Sequence, residues 1–198
     1  MYHRITEVIL LDYKKYQNSR DLAWEILYRE NIRSLPVDVL GICKRLGIEV
    51  RQYATPRPML EDGFSCAIGE RHCIFIYAGQ SPQRRRFTVA HELGHILLGH
   101  VGKYQFVNRE LSPSDNFIER EANVFAARLL APACVLRECR VSSAAEIAEM
   151  CDISLSAAKI RWERMQLLIA RDRFYSSPLE RRVYLRFKKY IKSYRRGR

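Results

Sequence analysis

The stretch from Ser81 to His100 constrains this chain more than any other. Ser81-Pro82 is a strong helix start, with serine as the cap and proline at the first helical position. Gly99 marks a stop, so a helix is predicted to run to about Leu98. This helix carries His91, Glu92 and His95. At about 100° per residue the two histidines lie only about 40° apart, and two imidazoles on one face can grip one metal ion. Glu92 lies beside them, placed to reach a water on the metal rather than the metal itself, which is the division of labour that zinc peptidases need.

A catalytic zinc normally takes three protein ligands and keeps a fourth position for water, so a third ligand must come from elsewhere. A metzincin continuation would require glycine and histidine where this chain has Leu98 and Val101, and that pattern fails. His100 stands nine residues after His91, about 900° around and so on the opposite side if the helix continues that far, and reads as a surface or packing histidine. The segment Ile118-Glu119-Arg120-Glu121-Ala122-Asn123 offers two carboxylates instead. On a helical wheel Ile118, Ala122, Phe125, Ala126, Leu129 and Leu130 define the apolar face. Glu119 falls about 60° from its centre, and Glu121 about 100° away on the other side, near Arg128. Glu119 therefore points inward, where an uncompensated carboxylate is costly unless a metal or a partner holds it. A structural pairing of Glu119 with an arginine is the plainer alternative. Asn123, one turn after Glu119, is set to support a ligand by hydrogen bonding.

Around this helix the pattern is mixed. Leu22 to Tyr28 recur at helical spacing, and a second helix is predicted between Pro36 and Gly47. Ile48 to Tyr53 reads as a strand. Pro56 and Pro58 break the chain, and Gly63 to Ile68 and Cys73 to Tyr77 read as two strands joined by a turn at Gly69-Glu70-Arg71. Asp115 to Ala131 is helical until Pro132 stops it, and helices dominate from there on. Helices, a small sheet and more helices predict an α+β fold, with a first domain over residues 1–135 and a helical C-terminal region over 136–198.

Two blocks carry a family resemblance. The first is Arg86-Phe87-Thr88-Val89-Ala90-His91-Glu92-Leu93-Gly94-His95-Ile96-Leu97-Leu98-Gly99-His100. The second runs from Glu119-Arg120-Glu121-Ala122-Asn123 to Leu129-Leu130-Ala131-Pro132. In this order and at this separation they resemble the ImmA/IrrE family of metallopeptidases, and the likeness extends over roughly residues 20–170. The resemblance implies a zincin-like domain of the gluzincin type, with zinc bound by His91, His95 and Glu119 and with Glu92 catalytic. It also implies an endopeptidase whose protein substrate is a helix-turn-helix repressor, cleaved to derepress a mobile element or a stress response. Ala131 stands where a methionine is common before the proline, a packing change remote from the chemistry. An oxyanion donor is expected in such an enzyme, and Tyr104 or His100 could serve; nothing in the sequence selects either. The two-histidine, one-carboxylate set also suits iron or manganese.

Residues 148–160 resemble a helix-turn-helix, with Asp152 at the turn position that glycine usually holds and Ser154 capping the second helix. Lys159, Arg161 and Arg164 could then contact DNA phosphates or a partner. The alternative is a helical hairpin packed on the peptidase as scaffold, which Ala157 and Ala158 favour because they offer little with which to read bases. The chain is basic, with a net charge of +12, and residues 171–198 alone hold eleven Lys or Arg against Asp172 and Glu180. Such a block can bind nucleic acid or an acidic partner, or simply be a solvated basic helix. A DNA-binding regulator with a non-catalytic zinc is therefore the competing function, although an intact Glu92 argues against it. Arg84-Arg85-Arg86 sits in the first turns of the metal helix, either drawing in an acidic substrate or pairing with surface acids.

The apolar runs, such as Val8 to Leu11 and Ile96 to Leu98, are too short to span a bilayer or to serve as a secretory signal. Six cysteines form no Cys-x-x-Cys pair, so free thiols and a cytoplasmic, membrane-free protein are expected.

Overall fold

The computed structural model describes residues 16–55, 62–101 and 113–197. Pro56, Pro58 and Tyr104 lie outside the described residues. Helix α1 (Gln17–Arg29) is followed by α2 (Val39–Arg45), which starts three residues later than the Pro36 expected from sequence. The reason is local: the Asp38 carboxylate accepts a hydrogen bond from the Gly41 amide at 2.9 Å and so caps the helix there. Its other end is as expected, with Gly47 at a φ of +70°.

Strands β1 (Glu49–Tyr53), β2 (Gly63–Ile68) and β3 (Arg71–Tyr77) form one sheet in the order β1-β3-β2. β2 and β3 are an antiparallel hairpin that turns at Gly69, while β1 runs parallel to β3. The free thiols of Cys66 and Cys73 sit on residues paired across the hairpin. The remaining elements are helical: α3 (Pro82–Leu97), α4 (Pro113–Leu130), α5 (Ala133–Glu138), α6 (Ala144–Cys151), α7 (Leu155–Ala170) and α8 (Pro178–Arg196). The fold is thus mixed α+β, a three-stranded sheet among helices.

Helix α3 packs on α4 along one flank and on β2 and β3 along another, while α1 lies against α4 and α8. The expected apolar face of α4 is the buried one, with Ala122, Phe125, Ala126, Leu129 and Leu130 all removed from solvent. Two glycines allow these close approaches. A Cβ on Gly63 would sit 2.6 Å from Thr88 Cγ2 on α3, and one on Gly94 would sit 2.9 Å from the Phe125 ring and 3.3 Å from Ala122 Cα on α4. The core runs from Ala23 and Leu27 through Ile74, Leu93 and Leu136 to Phe187 and Ile191.

Between α6 and α7 the chain turns at Asp152, whose φ of 50° and ψ of 54° place it in the left-handed region, and Ser154 Oγ caps α7 by accepting from the Ala157 amide. This turn is tied to α3. Asp152 Oδ1 accepts from Gln83 Nε2 at 2.9 Å, and Arg86 reaches the Asp152 and Val37 carbonyls at 3.1 and 2.9 Å. Arg86 is therefore structural, and Arg84 pairs with Asp62 through Nε at 2.7 Å.

The C-terminal cations need one correction. Lys159 is exposed and Arg164 half-buried, but Arg161 is only 5% exposed and donates from Nε to the Ala131 carbonyl at 2.7 Å. It is a core residue, since α7 turns that face onto the end of α4, and it is not available to DNA or a partner. Part of the basic block is likewise engaged within the fold. On α8, Val183, Phe187 and Ile191 are buried, and Arg182 and Arg186 lie over the Tyr28 ring at 5.6 and 4.8 Å. Arg195 pairs with Glu138 at 3.1 Å. Among the described residues no helix is long and apolar enough to cross a membrane.

Candidate metal centre

Helix α3 begins as its sequence demands, with Ser81 Oγ accepting from the Arg84 amide and Pro82 in the first turn. Its last turns bring His91 and His95 to the same face, and α4 lays Glu119 against both. Donor atoms of three residues converge: His91 Nε2 and His95 Nε2 are 3.0 Å apart, Glu119 Oε2 stands 3.1 Å from the first and Glu119 Oε1 3.4 Å from the second. A tetrahedral zinc with bonds of about 2.0–2.1 Å separates its ligands by about 3.3 Å, and each of these three spacings is close to that value.

The hydrogen bonding points the same way. His91 Nδ1 donates to Asn123 Oδ1 at 3.0 Å, which leaves the Nε2 of the neutral ring with a lone pair. That lone pair faces a second imidazole nitrogen and a carboxylate. Such a trio repels itself unless a cation lies among its members, a proton in one case and a metal ion in the other. With protons alone, hydrogen bonds from His91 and then His95 hold the Glu119 carboxyl far below the usual carboxylate range. Burial opposes charge on His91, but its bond to Glu119 and the charges of Glu92 and Glu119 outweigh that and raise its pKa. His91, His95 and Glu119 are thus a set that could hold a metal ion.

Glu92 is 5% exposed, and its charge acts on the neighbouring His91. Its Oε2 accepts from Ser65 Oγ at 2.8 Å, across from α3 on strand β2. The sequence reading missed Ser65. The available signal was the strand alternation, which puts Ser65 on the same face as Gly63, and Gly63 is where β2 presses on α3.

His100 is the main surprise. It does not lie opposite the site. Its Nδ1 is 3.1 Å from His95 Nδ1, and its Nε2 is 3.2 Å from Glu121 Oε2. The cause is that α3 stops at Leu97. Gly99 adopts a φ of 72°, its amide bonds to the Ile96 carbonyl, and the His100 amide bonds to the His95 carbonyl at 2.9 Å. This is a Schellman ending, which brings the residue after the glycine back over the last turn. Continuing the helical wheel past the glycine placed His100 wrongly. The same reversal covers Glu121, whose side chain is only 14% exposed rather than solvent-facing beside Arg128. Burial raises its pKa. Both ring nitrogens of His100 thus have side-chain partners, one on His95 and one on Glu121.

All of these residues lie within the 43–163 segment that matches the model of the Peptidase M78 family, the IrrE N-terminal-like domain, and this match covers more than half of the chain. The chain belongs to the Peptidase M78 family. No curated protein matches it. The family is the one whose resemblance the His91 and Glu119 blocks carry. Within this M78 member the matched span takes in the whole sheet and helices α3 to α6, and leaves α1 and α8 outside it.

Proposed function

We propose that the protein is a zinc-dependent endopeptidase of the gluzincin type, acting in the cytoplasm on a helix-turn-helix repressor. The observation that carries the reading is the triangle of His91 Nε2, His95 Nε2 and Glu119 with Glu92 set beside it. Zinc suits two imidazoles and one carboxylate, and when bound there it supplies Lewis acidity, lowering the pKa of a water to about 7 and polarising the scissile carbonyl. The protein's own share is proton transfer. Glu92 takes the proton of the attacking water on its free carboxylate oxygen and delivers it to the leaving amine. Ser65, donating to the other oxygen, fixes which one is free. Asn123 holds the His91 ring so that Nε2 faces the triangle.

The repressor as substrate rests on the resemblance to ImmA/IrrE peptidases, and the cytoplasm on the free thiols. A DNA-binding regulator is the weaker reading, because Arg161 is unavailable and a buried general base serves no structural zinc site. The test is to purify the protein with zinc, measure the metal, and assay cleavage of a repressor encoded beside its gene. Glu92→Gln is expected to keep the metal and lose about 100-fold or more in rate. Equal cleavage by both proteins overturns the peptidase assignment.

A further inference from the structure

We infer that His100 and Glu121 form a relay that sets the proton positions on His95, making His100 a positioning residue of the metal centre. The inference rests on the proposed metal site and adds a pair of residues to it.

The argument follows the protons. Glu121 Oε2, as a carboxylate oxygen, can only accept, so the ring nitrogen 3.2 Å away, His100 Nε2, is the one that carries hydrogen. A neutral imidazole has one N–H, so His100 Nδ1 then presents a lone pair. The atom facing that lone pair at 3.1 Å is His95 Nδ1, which must donate. His95 Nε2 is left as the basic nitrogen, and it is the one in the triangle with His91 and Glu119. The chain Glu121, His100, His95 therefore selects the ligating tautomer before a metal arrives. It performs for His95 what Asn123 Oδ1 performs for His91.

Two further observations support the relay. Both members are shielded, with side chains 10% and 14% exposed, so water competes little for these bonds. The backbone also enforces the contact, because the His100 amide is bonded to the His95 carbonyl through the Schellman ending. Partners that orient a metal-bound histidine act on ligand basicity and ring direction, and their loss typically costs about 10- to 100-fold in metal affinity.

The experiment uses the full chain and two readouts. Nitrogen NMR of the histidine rings, in metal-free and zinc-loaded protein, is expected to show His100 as the neutral Nε2–H tautomer, and Glu121→Ala is expected to abolish that preference. Zinc titration against a chromophoric chelator is expected to show His100→Phe binding about 10- to 100-fold more weakly than wild type. His100→Asn, whose side-chain oxygen can still accept from His95 Nδ1, is expected to recover most of the loss. Glu121→Gln, which keeps an acceptor oxygen, serves as the milder variant if Glu121→Ala fails to fold. His100 found as the Nδ1–H or doubly protonated form overturns the relay, as does wild-type zinc affinity in His100→Phe. Failure of the wild type to bind zinc at all would instead sink the metal site itself, while the tautomer of His100 would still decide the relay.

Discussion

Gly94, between His91 and His95, is where the geometry of the candidate centre is most exposed to a single methyl group. Gly94→Ala places a Cβ 2.9 Å from Phe125 Cδ1 and 3.3 Å from Ala122 Cα. Carbon atoms rest comfortably at about 3.5–4.0 Å, so the Phe125 ring must shift and the backbones of α3 and α4 must separate by a few tenths of an ångström at this crossing. Alanine favours the helix by about 1 kcal/mol over glycine, whereas overpacking of this kind costs about 1–3 kcal/mol. The net effect on stability is therefore small, about 0–2 kcal/mol of destabilisation. The effect on the centre is larger, because His91 and His95 ride on α3 and Glu119 on α4. A metal site tolerates ligand displacements of only about 0.2 Å, so the triangle opens beyond what one ion spans. We expect zinc affinity to fall by at least about 10-fold, a size typical of damage to a metal's supporting structure, while the protein still folds. Chelator competition measures the first and urea unfolding of the metal-free protein the second. Zinc bound at wild-type affinity by a folded Gly94→Ala protein would show that the helix spacing does not set the ligand geometry.

Asn123→Ala removes the acceptor for His91 Nδ1 and is expected to weaken zinc by about 10- to 100-fold, read in the same competition assay. Glu180 gives a pH-dependent prediction far from the centre. It is 3% exposed, and burial pushes its pKa up from 4.5 to about 7. The folded state thus keeps a proton that the unfolded state has already lost between those values. The stability it contributes is fully present below about pH 4.5 and is lost as pH rises through about 7. Glu180→Gln is expected to flatten this dependence in urea midpoints taken at pH 5 and pH 8, and an unchanged pH dependence would refute the assignment.

Much of this was legible in the sequence because local rules decided it. Ser81 and Pro82 start α3 as expected, Gly69 turns the hairpin, and Glu119, leaning toward the apolar face of α4, meets both histidines as that lean suggested, with its side chain still 42% exposed rather than fully inward. What escaped was contact made by chain reversal or across the sheet. The helical wheel sent His100 away from His95, since it has no means of representing a helix that ends in a left-handed glycine. Ser65 was invisible because its role depends on which helix covers β2. Arg161 read as a surface cation in a basic run, yet the carbonyl of Ala131, thirty residues earlier, claims it in the core.

Arg86 links parts of the chain that a family alignment would separate. Its guanidinium grips carbonyl oxygens of Val37 and Asp152 from within α3, so residues before position 43 and the turn after α6 converge on one side chain. Tyr28 on α1 meets α8 outside the matched segment, and Phe187 completes the core from the same helix. The consequence is one of dissection. Residues 43–163 contain the candidate metal centre but not the whole of the body that holds it rigid, and a fragment trimmed to that span would expose apolar surface on α4 and α5 where the outer helices now lie.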